Sequence, residues 1–176
     1  MDPASDQAFR DGTLACLDAL YGFAVALCRD PAQAEDLVQE TYVRALRATN
    51  RAAPGEGLRS WMFAILHNVW RNDLRRRRTV SYEGDVDLLP AGDGDPLSFV
   101  DRKQSSNRLR AAIDDLPTAF REVVVLRCLE GFSYREMAEI VGCPAGTVMS
   151  RLARARALLK RALGPVAVPS PRVERR

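Results

Sequence analysis

The stretch FSYREMAEIVGCPAGTVMSRLARARALLK, residues 132–160, ends in a ladder of arginines set behind small residues, and Arg161 follows it. Guanidinium groups repeated along a helix bind anions, because each keeps its charge and offers donors in a fork that matches phosphate oxygens. A second cationic run, RNDLRRRR, occupies residues 71–78. Little else in the chain resembles reactive chemistry. The single histidine is His67, the cysteines Cys16, Cys28, Cys128 and Cys143 form no CxxC pair, and there is no glycine-rich phosphate loop. These residues compose no catalytic constellation and no metal-ligand set, and no cofactor is expected. The cysteines read as small buried hydrophobes, and His67 as a helix-surface residue.

The elements that must carry those arginines are helical. Of the 176 residues 47% are apolar, and Ala, Leu, Arg and Glu dominate while β-branched runs are scarce. The formal net charge is only +3, so the clustering of charge matters more than its sum. No apolar run is long enough to span a bilayer, and MDPASDQAFRDG is acidic and polar where a signal peptide would be basic and apolar, so a cytoplasmic protein is expected.

Apolar residues recur at helical spacing over 14–28, predicting one helix with Leu14, Leu17, Leu20, Tyr21, Ala24, Leu27 and Cys28 along its stripe. A second helix should follow to about residue 47, with Asp30 as N-cap, Pro31 in the first turn and Gln33 as capping partner. Its inward residues would be Ala34, Leu37, Val38, Thr41, Tyr42, Ala45 and Leu46. NRAAPGEG reads as a loop, and residues 58–78 as a helix with Trp61, Ile65, Leu66, Val69 and Leu74 largely inside. Residues 79–100 contain five acids and no base, two prolines and three glycines, which makes a linker. From about residue 102 to 163 a second helical block follows, broken at Pro117 and Gly131. SYRE gives a capping box at Ser133 and Glu136, Gly142 turns the corner, and Pro144 can open the last helix. The tail after residue 163 is proline-rich and basic, a composition of disorder.

On that last helix Val148, Leu152, Ala155 and Leu159 form the packing stripe. The opposite side presents Gly146, Thr147, Met149, Ser150, Ala153, Arg154 and Arg161, with Arg151 on the flank. Two short helices about a glycine corner, the second showing small residues and arginines outward, suit a DNA major groove. Phosphates would hold the periphery, and Ser150, Arg151 or Arg154 could read base edges.

Three segments, DPAQAEDLVQETYVRAL, LRSWMFAILHNVWRNDLRRRR and LPTAFREVVVLRCLEGFSYREMAEIVGCPAGTVMSRLARAR, together resemble the extracytoplasmic-function (ECF) sigma factors, two-domain bacterial transcription initiation factors of the sigma-70 family. The resemblance covers residues 14–78 and 103–163 in the family's order. It implies an all-α fold: a polymerase-binding and −10-melting domain over 5–78, an acidic linker over 79–102, a helix-turn-helix domain binding the −35 element over 103–163, and a tail over 164–176. It also implies that Asp36, Gln39 and Glu40, with Leu37 and Val38 nearer the core, dock on the clamp helices of the polymerase largest subunit. The acidic patch of Glu35, Asp36 and Glu40 in a basic chain suits a basic partner surface.

By the same resemblance Asn68, Arg71, Asn72 and Arg75, Arg76, Arg77 and Arg78 would engage −10 DNA, with residues 50–57 capturing a flipped base. Asn72 stands where many members carry an acid. Trp61 matches a core tryptophan, whereas Trp70 suits packing and base stacking alike. Thr147, Ser150, Arg151, Arg154 and Arg161 would meet −35 DNA. The partners implied are core RNA polymerase, promoter DNA and an anti-sigma protein. The C-terminal block alone fits equally well a helix-turn-helix regulator that does not bind polymerase, a reading that leaves the acidic helix, Asn68 and the arginine run unexplained.

Overall fold

A computed structural model describes residues 3–48, 56–80 and 102–163, and all its regular structure there is helical. The linker core, the loop before residue 56 and the C-terminal tail lie outside the described residues. The N-terminal block comprises α1 (Pro3–Leu14), α2 (Leu17–Cys28), α3 (Pro31–Arg47) and α4 (Glu56–Val80). The C-terminal block comprises α5 (Arg102–Asp114), α6 (Thr118–Val124) running into a π-turn (Val125–Leu129), α7 (Tyr134–Val141) and α8 (Ala145–Leu163).

The helix boundaries follow from local chemistry. Arg29 leaves α2 in the left-handed region at φ 58°, and the Asp30 carboxylate then accepts from the amides of Ala32 at 2.9 Å and Gln33 at 3.4 Å. These bonds satisfy orphan donors of α3, and Gln33 Nε2 donates back to Asp30 Oδ2 at 2.8 Å. At α7 the capping box closes both ways: Ser133 Oγ accepts from Glu136 N, and Ser133 N donates to the Glu136 carboxylate at 2.8 Å. Gly142, at φ 69°, turns the corner into α8 without the strain a side chain would bring. Pro144 stands just before α8, where its carbonyl accepts the amides of Thr147 and Val148.

Five sequence expectations are corrected. The helix expected over 14–28 is two helices bent by 48° at Ala15 and Cys16, and α1 reaches back to Pro3. Leu14, Leu17 and Tyr21 of the expected stripe are exposed, as is Leu46 of α3. The helix after Pro117 passes into a π-turn, where Glu130 N reaches the carbonyl of Val125. All of Val123, Val124, Val125 and Leu126 are buried, a run wider than one α-helical stripe, and the extra residue in the turn accommodates it. Of the cysteines only Cys16 is buried, and Cys128 is exposed. His67, expected on the surface, is 2% exposed, with its Nε2 3.1 Å from the Glu122 carboxylate of α6.

Both blocks share one buried cluster. Leu20, Phe23 and Leu27 of α2 meet Leu37 and Val38 of α3 and Met62, Phe63 and Leu66 of α4. Phe63 then carries the core across: its ring lies 5.3 Å from Phe23 and, edge-on, 4.9 Å from Phe132 of the C-terminal block. Beyond it Met137, Ile140 and Val141 of α7 pack on the stripe Val148, Leu152, Ala155 and Leu159 of α8. No single described helix is long and apolar enough to cross a membrane.

Candidate nucleic-acid and protein interfaces

On α3 the capping and burial pattern leaves one face outward. Leu37 and Val38 are buried, while Asp36, Gln39 and Glu40 are exposed along one ridge with Val43. Glu40 is tied to Arg44 Nε at 2.7 Å, a surface pair whose stability contribution is small. The ridge therefore offers carboxylates and an amide to a partner while its base is fixed in the core.

On α4 Asn68, Asn72, Arg75 and Arg76 are exposed at helical spacing, opposite the buried Leu66, His67 and Val69. Arg77 is also exposed, and it donates to Gln33 Oε1 at 2.7 Å and pairs with Asp73 at 2.8 Å, tying the end of α4 to the start of α3. Arg71 is half-buried, with Nη1 3.5 Å from the Val141 carbonyl at the helix-turn-helix corner. The side chain of Arg78 lies outside the described residues, as does the loop expected to capture a base. Trp61 sits half-buried with its ring 6.1 Å from Phe9, a packing contact, and Trp70 is half-buried beside His67 at 5.5 Å.

On α8 Met149, Ser150, Arg154 and Arg161 are exposed and Thr147 is half-buried. Ser150 donates its hydroxyl to the Thr147 carbonyl at 2.9 Å, leaving oxygen lone pairs facing outward as acceptors. Arg151 stands apart from this face. It is half-buried, and its Nη1 donates to Glu122 Oε1 at 2.8 Å.

Several residues that matter here carried no sequence signal of their own. Glu122, 4% exposed, also meets His67 Nε2 at 3.1 Å. Arg121, 1% exposed, donates to the carbonyls of Ala26, Asp114 and Leu116, and burial pulls its pKa down to about 10, which leaves it protonated at neutral pH. Arg59 donates to the Glu130 carbonyl at 2.7 Å, pairs with its carboxylate and lies 4.5 Å over the Phe132 ring. Glu122 and Arg121 sit inside REVVVL, where an acid and a base interrupt an apolar run, the one hint available. Between the blocks lies a cleft of about 800 Å³, reached by Asp36, Glu40, Trp70, Cys143 and Arg151. Among the described residues no three His, Cys, Asp or Glu side chains gather as a metal would require.

Two family models match the chain, Sigma-70 region 2 over residues 14–80 and Sigma-70, region 4 over residues 106–159. The ECF RNA polymerase sigma factor EcfG of Rhodopseudomonas palustris is 38% identical over 162 residues, covering 89% of this chain and 85% of that protein. Among solved structures, the sigma factor RpoE in complex with the anti-sigma factor NepR from Bartonella quintana aligns with a TM-score of 0.67 at 32% identity, over 90% of this chain and 98% of that one. CnrH in complex with the cytosolic domain of CnrY aligns with a TM-score of 0.62 at 26% identity, over 92% and 91% of the two chains.

Proposed function

The chain belongs to the ECF sigma factors of the sigma-70 family, and on that premise we propose which of its surfaces meet polymerase and promoter. The protein binds core RNA polymerase, directs it to promoters through −35 and −10 elements and is controlled by an anti-sigma factor. It works in the cytoplasm as an initiation factor and not as an enzyme. The N-terminal domain, residues 5–78, holds the polymerase-binding and melting functions. The linker is 79–102, the −35-binding domain 103–163 and the tail 164–176.

Asp36, Gln39 and Glu40 dock on the clamp helices, with Leu37 and Val38 fixing the ridge from beneath. Asn68, Arg71, Asn72 and Arg75 to Arg78 engage −10 DNA, with Arg77 held in place through Gln33. On α8 Thr147, Ser150, Arg151, Arg154 and Arg161 serve the −35 element, Arg154 and Arg161 through phosphates and Ser150 or Arg151 through a base edge.

The observation that carries this reading is the division of charge: an exposed acidic ridge on α3, and exposed basic faces on α4 and α8, in one chain. A regulator acting on DNA alone needs the basic faces and has no use for the ridge. The test is competition for core polymerase by the Asp36→Lys, Glu40→Lys double variant. The expected result is weakened core binding with helicity and promoter-duplex affinity intact; unchanged core affinity would contradict the assignment of α3.

A further inference from the structure

Met149 is the one large apolar side chain exposed on α8 among the described residues, at 49%, and it stands near the start of that helix, which begins at Ala145. The core cannot take it in. Val148 beside it and Leu152 one turn on are 0% and 2% exposed, and they fix the rotation of α8 about its axis. Met149 therefore projects roughly 100° around the helix from the packing stripe.

The outward side of α8 consists of two parallel rows. Residues three and four apart share a side of a helix, which sets Ser150 with Arg154 in one row and Met149 with Gly146 and Ala153 in the other, all of them exposed. The first row is polar, with lone pairs on Ser150 and donors on Arg154. The second carries no side-chain group that hydrogen-bonds strongly. Gly146 has nothing within 4 Å of its Cβ direction and Ala153 is a single methyl, so neither holds a surface away from Met149. A lone exposed apolar residue is ordinary on a protein surface. What sets Met149 apart is its place between two small residues, beside the row assigned to base edges.

The floor of a major groove offers such a side chain one match. Among the donors and acceptors of the base edges the thymine C5-methyl is the apolar group, and helix-turn-helix proteins meet base edges with the N-terminal residues of the second helix. The unbranched thioether chain of methionine adapts its shape to an apolar neighbour, whereas a phosphate contact would call for charge. We propose that Met149 is a specificity-determining residue of the −35 interface, packing on the C5-methyl of a thymine beside the base that Ser150 or Arg151 reads. The proposal deepens the −35 assignment of α8 and rests on it. One buried methyl contact is worth about fourfold in affinity.

The experiment measures equilibrium binding of core polymerase with the full chain to promoter fragments recovered by start-site mapping. Thymines of the −35 element, on either strand, are replaced one at a time by deoxyuridine, which removes the methyl and leaves every hydrogen-bonding group and phosphate in place. With wild type, deoxyuridine at one position should weaken binding about fourfold. Met149→Ala should bind the natural fragment more weakly by a similar factor and be indifferent to deoxyuridine at that position, while Met149→Leu should keep the discrimination. A structural role for Met149 would instead lower affinity for all fragments alike. Equal sensitivity of wild type and Met149→Ala to each deoxyuridine, or a selective wild type with no sensitive thymine, would overturn the methyl contact and leave the −35 assignment standing. Wild-type binding with no preference for the −35 sequence would overturn that assignment, and the methyl contact with it.

Discussion

Gly12 of α1 lies so close to Leu58 of α4 that a Cβ placed there would stand 2.7 Å from Leu58 Cδ2. Leu58 is 2% exposed and has little room to yield. The close approach of α1, a helix absent from the sequence expectation, thus depends on one absent methyl group.

Gly12→Ala should therefore destabilise, the overpacking loss of about 1–3 kcal/mol outweighing the helix-propensity gain of up to about 1 kcal/mol. Gly22 in α2 has nothing within 4 Å of its Cβ direction, so Gly22→Ala should stabilise by about 0.5–1 kcal/mol. Urea melts of the two variants should move in opposite directions; a shared direction would contradict the packing of α1 on α4.

Arg121 replaces a carboxylate partner with backbone carbonyls and the Thr118 hydroxyl. Arg121→Ala should cost on the order of 3 kcal/mol in a thermal melt, because it vacates a buried site and strands carbonyls that accept from a charged donor. A loss under about 0.5 kcal/mol, the range of ordinary surface substitutions, would mean the side chain is solvated.

The capping box gives a pH dependence of known sign. The Ser133 side chain and amide hold the Glu136 carboxyl below its usual range. A carboxyl depressed in the folded state stabilises it above the unfolded carboxylate pKa, and that contribution is lost as pH falls through the folded value. Ser133→Ala should cost about 1 kcal/mol at neutral pH. The difference from wild type should shrink in acid, where protonated Glu136 no longer completes the box; a constant difference across the carboxylate range would contradict the pairing.

The cysteines separate by environment. Burial pushes the Cys28 thiol up to about 11 and raises Cys16 as well, while Cys128 is exposed. At neutral pH iodoacetamide should label Cys128 first, with Cys16 and Cys28 lagging by an order of magnitude or more in mass spectrometry. Equal rates would show that the core opens on the labelling timescale.

On DNA, Arg154→Ala or Arg161→Ala should weaken −35 binding alike for all sequences and flatten the salt dependence by about one unit of slope for each phosphate no longer neutralised. Ser150→Ala should instead relax preference at one base position, costing on the order of 1–3 kcal/mol against the preferred sequence. Filter binding against a panel of mutated −35 duplexes distinguishes the two.

What was legible in the sequence is what nearby residues decide. Asp30 and Ser133 cap helices through bonds spanning two or three residues, Gly142 turns its corner through its own φ, and the α8 stripe is a periodicity within one helix. What was hidden depends on pairs far apart in the chain. His67 reads as a surface residue and Arg151 as a flank of the DNA face because the partner of both, the Glu122 carboxylate, is 55 positions from the first and 29 from the second. The acidic ridge of α3 and the basic stripe of α4 were readable in position, since burial of Leu37, Val38 and Leu66 fixes which side faces out. That Leu14, Leu17 and Tyr21 stay exposed was not, because apolar spacing marks a stripe without saying whether anything covers it.

As an ECF sigma factor, this chain turns core polymerase into an enzyme that finds and opens promoters. The most direct measurement is in vitro transcription with core polymerase plus the protein on a library of promoter fragments, with start sites mapped and permanganate reactivity read across the −10 region. Protein-dependent starts are expected at fragments sharing −35 and −10 sequences, with reactive thymines upstream of each start. Alanine at Asn68, Arg75 and Arg76 together should abolish that reactivity while leaving closed-complex binding through α8. Transcription that never depends on the protein, or melting that survives the triple variant, would contradict it.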